Sequence, residues 1–334
     1  MTEEQPRIAV IGTGGTISYL GRDGLDIVRY VETGNIYEVD ELLNAFPETL
    51  DQADVVPVRL RAMPSTMIGP AEWLEIAAKI HELADSDPKI AGIVVTHGTA
   101  TLEETAYFLN LTLKVSFPVV LVGAQRPATG LSTDAGMNLV NAIRTAKDPA
   151  SRGRGVLAVL NDEIHFARDV TKTSTLRLQT FRSRDFGILG HADFDKIAYY
   201  RMPERRRAPD TEFDVRGVTE LPRVDICLSY AGADGTVIDA LVAAGAKGIV
   251  VGAMPPGYTT AAEHEALCRA AQAGVALAQS TRAGSGRVGD VPSKRAPGAV
   301  LADNLTPQKA RILLMLGLTA TQKSSELQRM FDEY

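Results

Sequence analysis

The sequence predicts an α/β protein of two α/β domains with mostly parallel sheets, the larger domain N-terminal, and three observations carry that expectation. Short apolar runs alternate with amphipathic stretches through the first two-thirds of the chain, the pattern of helices covering a parallel sheet. The proline- and charge-rich stretch at 202–214 interrupts this pattern, and a second α/β series begins at Val224. At 334 residues the chain also exceeds what one hydrophobic core usually serves, ~100 to 200 residues per domain. The expected division is residues 1–203, a linker at 204–221 and a second domain at 222–334.

Within the first domain, apolar runs predict strands at 7–12, 55–60, 90–96, 118–123 and 155–161. Residues 70–84 predict a helix, with Pro70 at its start and Trp73, Ile76, Ala77, Ile80 and Leu83 on one face. Residues 101–113 and 134–147 follow the same pattern. From 163 to 200, Thr and Ser alternate with apolar and basic residues, which predicts hairpins or irregular strands. The second domain predicts strands at 224–229, 248–252 and 275–279, and helices at 236–244, 261–273, 306–316 and 321–331.

Charge and cysteine usage exclude several classes. A formal charge of −6 leaves no basic footprint for nucleic acid, and Arg205-Arg-Arg207 reads as a solvated part of the linker. Cys227 and Cys268 suggest neither a disulfide framework nor a metal site, and fit a reducing compartment. The start, Met1-Thr-Glu-Glu-Gln-Pro-Arg7, lacks the charged and apolar regions of a secretory leader. No apolar run reaches the ~18 residues of a membrane span. A cytoplasmic protein is expected.

Three segments bear chemistry. The first strand runs into Gly12-Thr-Gly-Gly-Thr-Ile17, which fails as a dinucleotide fingerprint because Ile17 stands where G-x-G-x-x-G needs its last glycine. Its glycines allow close approach to Thr16 at the carboxyl end of a strand, where open α/β sheets bind ligands. The loop Thr96-His-Gly-Thr-Ala-Thr101 also follows a strand and opens a helix, so Thr99 belongs to the same sheet edge. Threonine is a weak nucleophile and needs a base; Lys172, in Arg168-Asp-Val-Thr-Lys-Thr173, can serve if desolvated. His97 reads as a hydrogen-bonding support. His81, His165, His191 and His264 show no ligand spacing, so no metal is implied.

Together these segments resemble the bacterial-type L-asparaginase/glutaminase family. Glu-Glu-Thr-Ala-Tyr-Phe at 103–108, Val-Gly-Ala-Gln-Arg-Pro at 122–127 and Asn-Leu-Thr-Pro-Gln-Lys-Ala-Arg at 304–311 extend the resemblance over nearly the whole chain. It implies two α/β domains, a homotetramer built as a dimer of dimers with sites at the intimate-dimer interfaces, and a cofactor-free hydrolase of small-molecule amides. It assigns Thr16 as nucleophile, a lid tyrosine that is Tyr30 with Tyr19 or Tyr37 as competitors, Thr99 and Lys172 as the assisting pair, and Ser65 as carboxylate anchor. Backbone N–H groups around Gly98 and Thr99 would stabilise the oxyanion.

Departures from the family pattern gather at one place, the groups that hold the substrate's α-ammonium. The family aspartate is Ala100; the amide or acid after Ser65 is Thr66; the loop often reading Gly-Asn-Gly-Asn is Met254-Pro-Pro-Gly257; and only Asp290 is left to stand for a later glutamate. A buried cation without partners costs ~3 to 5 kcal/mol, about three decades in affinity. The expected substrate is therefore a small carboxylate bearing a carboxamide, imide or lactam and no free α-amino group. L-asparagine is the alternative, and a non-catalytic small-acid or amide-binding protein the second. Arg61 and Arg282 could face the altered pocket or form surface ion pairs. Without the aspartate, Lys172 is expected to lose its proton more readily than in the family pattern.

Overall fold

The computed structural model describes residues 5–334; the acidic start at 1–4 lies outside them. The chain divides into two compact units, 1–217 and 218–334. The strands are β1 (Arg7–Gly14), β2 (Asp54–Met63), β3 (Ile90–Thr96), β4 (Val119–Val122), β5 (Val156–Leu160), β6 (Glu163–Phe166), β7 (Val170–Lys172), β8 (Phe181–Ser183), β9 (Gly190–Ala192) and β10 (Ile197–Tyr199) in the first unit. The second holds β11 (Val224–Leu228), β12 (Gly248–Ala253), β13 (Ala276–Thr281) and β14 (Val300–Leu301). The helices are α1 (Val39–Ala45), α2 (Pro70–Ser86), α3 (Leu102–Thr112), α4 (Ala135–Lys147), α5 (Thr236–Ala243), α6 (Ala261–Gln272), α7 (Pro307–Ala320) and α8 (Ser324–Glu333).

The main sheet runs β10-β9-β6-β5-β4-β3-β1-β2, with β1 to β5 parallel and β6, β9 and β10 antiparallel. Apart from the edge strand β2, its parallel strands are apolar runs because helices cover both faces: Ile8, Ala9, Val10 and Ile11 are fully buried. Val39, Leu42 and Leu43 of α1 join Leu139, Ala142 and Ile143 of α4 in one core with Ile8, Val10, Val94 and Val120. α2 and α3 pack on each other through stacked Trp73 and Phe108 rings, 5.4 Å apart. The chain leaves β1 for β2 on one side and returns to β3 on the other. The crevice at the carboxyl ends of β1 and β3 is thus the topological switch point, where such sheets bind ligands.

The stretch at 163–200 forms the antiparallel extension and a separate β7–β8 pair, which sets Lys172 opposite Phe181. The expected linker is laid on the first unit as far as 217. Ala208 N donates to Asn110 O at 2.9 Å, Arg207 Nε to Gly153 O at 2.7 Å, and Phe213 and Val215 are buried. The second unit is a parallel sheet β11-β12-β13-β14, with Ile238, Ala266, Leu267 and Ala270 of α5 and α6 buried against Ile249, Val251 and Leu277.

A buried polar chain ties α2 and α3 to the loop after β3. Trp73 Nε1 donates to Thr105 Oγ1 at 2.9 Å, Thr105 Oγ1 lies 2.9 Å from His97 Nε2, and His97 Nδ1 lies 2.8 Å from Gly98 O. An indole N–H only donates and a carbonyl only accepts, so the directions are set: Thr105 donates to Nε2, and a neutral imidazole donates from Nδ1. Complete burial pushes the His97 pKa down to about 4, from 6.5.

The unfolded chain therefore takes up this proton before the folded one does. His97 contributes full stability above pH ~6.5 and loses ~1.4 kcal/mol per pH unit below it, ~3 kcal/mol in all by pH ~4. Urea denaturation of wild type and His97→Gln over that range measures the difference. The variant's stability should fall less steeply with acid, and parallel curves would refute the assignment.

Candidate active site

Three glycines bring three loops into one structure at the switch point. Gly14 and Gly15 have φ of 89° and 85°, a region that L side chains rarely adopt. A Cβ on Gly14 would strike the Met63 backbone, one on Gly15 the Gly98 backbone, and one on Gly98 the Ser65 side chain. Gly15 N donates to Met63 O at 3.0 Å, and Thr13 Oγ1 to Thr96 O at 2.6 Å. The loops after β1, β2 and β3 therefore interlock backbone to backbone. They carry Thr16, Ser65 and Thr99, in that order.

Thr16 sits half-buried on the short 3-10 turn Thr16–Ser18. Its Oγ1 lies 2.7 Å from the hydroxyl of Tyr30, which opens a second such turn, Tyr30–Thr33. Thr33 Oγ1 donates back to Tyr30 O at 2.8 Å and to Leu20 O at 2.9 Å, and the Tyr19 ring tilts against that of Tyr30 at 5.6 Å. Tyr37 packs on the core instead, and Tyr19 is 7% exposed with its hydroxyl pKa raised by burial. Of the three tyrosines in this region, Tyr30 is the one that reaches Thr16.

A second pair joins the loop after β3 to the end of β7. Lys172 Nζ lies 2.6 Å from Thr99 Oγ1 and 3.3 Å from Gln125 Oε1. Thr99 is 5% exposed and Lys172 half-buried. Burial lowers the Lys172 pKa, and the carboxylate of Glu103, on the first turn of α3, partly opposes that shift. Glu103 also accepts the Lys172 backbone N–H at 3.2 Å. Gln125 and Glu103 lie in segments that carry the family resemblance, yet nothing in the sequence pattern gives either a role. Both meet Lys172 only through the fold.

Ser65 is buried, and its carbonyl accepts from Thr101 Oγ1 at 2.8 Å. That bond pins the turn Ser65–Met67 beside the start of α3, where Thr66 and Ala100 are both exposed. The arginines considered for this pocket are engaged elsewhere: Arg61 pairs with Glu75, and Arg282 Nη1 donates to Ser229 O at 2.9 Å. In the second unit, Asp290 lies 3.4 Å from Arg295, and Met254 N donates to Tyr258 O at 2.8 Å across a tight turn that exposes Pro255 and Pro256. Among the described residues no cluster of three or more His, Cys, Asp or Glu forms a metal site, and no helix is long and apolar enough to cross a membrane.

Comparison with known proteins identifies the family. Residues 7–205 match the family model described as Asparaginase, N-terminal, and residues 223–331 match the Glutaminase/Asparaginase C-terminal domain. L-asparaginase 2 of Escherichia coli (strain K12) is 42% identical, over 98% of this chain and 93% of its own length. Glutaminase-asparaginase of Pseudomonas fluorescens biotype A is 38% identical, over 98% and 90%. The crystal structure of a probable cytoplasmic L-asparaginase from Campylobacter jejuni superimposes with a TM-score of 0.94 at 38% identity, covering 99% of this chain and all of that one. With both family domains matched in order along nearly its full length, the chain belongs to the asparaginase family of amidohydrolases, which act on C–N amide bonds.

Proposed function

We propose that this protein hydrolyses the carboxamide, imide or lactam C–N bond of a small carboxylate that lacks a free α-amino group, through an acyl-enzyme on Thr16. The observation that carries the chemistry is the pair of hydroxyl contacts at the switch point, Thr16 to Tyr30 at 2.7 Å and Thr99 to Lys172 at 2.6 Å. Thr16 Oγ1 attacks the carbonyl carbon as its proton passes to the Tyr30 oxygen and the Tyr30 hydroxyl hands its own proton on toward the leaving nitrogen. Backbone N–H groups around Gly98 and Thr99 hold the oxyanion. The C–N bond then breaks, the nitrogen leaves with a proton, and a water helped by Thr99 and Lys172 resolves the ester. In this reading Ser65 anchors the carboxylate, and Thr66 and Ala100 line the substrate pocket.

The substrate reading rests on Ala100, which offers a cation nothing, while the carboxylate of Glu103, one turn on, is turned inward to Lys172. Relatives favour a second reading, L-asparagine, since the Escherichia coli and Bacillus subtilis proteins, 42% and 40% identical, are both named L-asparaginase 2. A dimer of dimers follows the family pattern. A cytoplasmic location fits the Campylobacter jejuni structure's description, although the Haemophilus influenzae relative is named a probable periplasmic L-asparaginase.

Ammonia release from asparagine, glutamine, succinamate and maleamate, with ring opening of cyclic amides followed by chromatography because it frees no ammonia, separates the readings. The expected result is kcat/KM for a des-amino amide at least ~100-fold above that for asparagine, on the ammonium penalty above. Asparagine as best substrate by a wide margin would refute the substrate assignment. No turnover of any compound, with a carboxylate raising Tm, would instead favour a binding protein. Thr16→Ala should abolish turnover, and Tyr30→Phe should lower kcat ~100-fold or more with KM little changed.

Ala100→Asp tests the base. Burial holds the Lys172 amine neutral to a lower pH than an ordinary lysine, so the acid limb of the wild-type pH–rate profile lies correspondingly low. A carboxylate at 100 favours the ammonium form and should move that limb up by ~1 pH unit or more. An unmoved limb would separate position 100 from the Lys172 base.

A further inference from the structure

We propose that Gln125 is the positioning residue that aims the Lys172 lone pair at Thr99, an inference that rests on the proposed role of Lys172 as base. The geometry is a two-point hold on one nitrogen. Lys172 Nζ has Thr99 Oγ1 at 2.6 Å and Gln125 Oε1 at 3.3 Å. A neutral amine has two N–H bonds and one lone pair. The amide oxygen of Gln125 only accepts, so the contact turns an N–H toward it and restricts rotation about Cε–Nζ. The lone pair is then left for the Thr99 hydroxyl proton.

Gln125 is itself held from behind. Its backbone N–H donates to Asp134 Oδ2 at 2.9 Å, the Arg126 N–H to Asp134 Oδ1 at 3.0 Å, and Asn138 Nδ2 to Asp134 Oδ2 at 3.0 Å. The carboxylate at the start of α4 thus fixes the turn that presents the side chain. Gln125 is 6% exposed, and its Nε2 has no hydrogen-bond partner. A purely structural glutamine would satisfy both ends of its amide, because an orphaned buried donor costs ~1 to 3 kcal/mol. This one satisfies the end that meets the amine.

An amide suits the role for an electrostatic reason. It orients the nitrogen by a dipole, whereas a carboxylate there would hold the proton on the lysine. The other groups facing the amine leave its charge state finely set. Glu103 approaches from α3 and favours the ammonium, Phe181 of β8 is apolar, and Arg182 of β8 faces Thr171 and lies 3.7 Å from Glu163. Asp134 stands behind Gln125, bound to backbone N–H groups.

Two variants and two readouts test this. Gln125→Glu keeps the shape and adds a charge. The midpoint for acylation of Lys172 by acetic anhydride, followed by mass spectrometry against pH, should rise by at least ~1 unit, and the acid limb of kcat/KM should rise with it. Gln125→Met keeps the length and loses the acceptor. Its kcat should fall at least ~10-fold with KM within ~3-fold of wild type, and its acylation midpoint should fall or hold. An unchanged midpoint in Gln125→Glu would overturn the proposal, as would wild-type kcat in Gln125→Met. The acylation arm uses no substrate and decides the point even if Gln125→Met does not fold. Absence of amide hydrolysis by the wild type would count against the proposed function alone.

Discussion

The closest approach of backbone to backbone at the head of the sheet is the constraint on which the site depends. β1 lies between β2 and β3, and the loops that leave these strands at one edge would ordinarily diverge. They converge because Gly14, Gly15 and Gly98 carry no Cβ where one would collide with Met63, Gly98 and Ser65 in turn. Thr16, Ser65 and Thr99 are consequently fixed to strand ends and to one another. Tyr30 alone comes from a long connection, and its position relies on Thr33 and the Tyr19 ring. The arrangement sets a floor of interlocked strand ends against one residue held by a loop.

Charge is sparse on that floor, and burial governs what remains. His97 is neutral because nothing around it compensates an imidazolium: its two nitrogens are used by a carbonyl and a hydroxyl. It serves as a spacer that holds the Gly98 carbonyl while leaving the field unchanged. Lys172 is pulled toward the neutral amine by the same desolvation, with Glu103 as the opposing charge. On the proposed mechanism, a base made this way depends on exclusion of water from the site.

Much of this was legible from the residues, for a physical reason. Strands buried on both faces read as unbroken apolar runs, so β1, β3, β4 and β5 stand out, and α2 shows its Trp73 to Ile80 face directly. The helix α1 was hidden because it is seven residues long and follows a segment rich in glycine and charge. The stretch at 203–217 has a linker's prolines and arginines, and the sign that it packs on the first unit lies only in Phe213 and Val215 among the charges. Glu103 and Gln125 are 69 and 47 residues from Lys172. No local pattern encodes such pairs; they arise where α3, the turn before α4 and β7 meet.

The substitution at Ala100 joins these threads. On the proposed mechanism a carboxylate at that position would do two opposed things, attracting a cationic substrate and favouring the protonated, inactive form of Lys172. Its absence removes both effects together. The base is then set by burial, Glu103 and the Gln125 dipole, and the pocket loses its attraction for a positive charge. A substrate ammonium entering such a site would meet no carboxylate at position 100, and would add a positive charge close to a lysine that must be neutral to act. A substrate without that group avoids both costs. On the proposed substrate reading, the alanine that would weaken binding of an amino acid would also leave the hydrolytic apparatus better tuned for an acid that carries an amide and no amine.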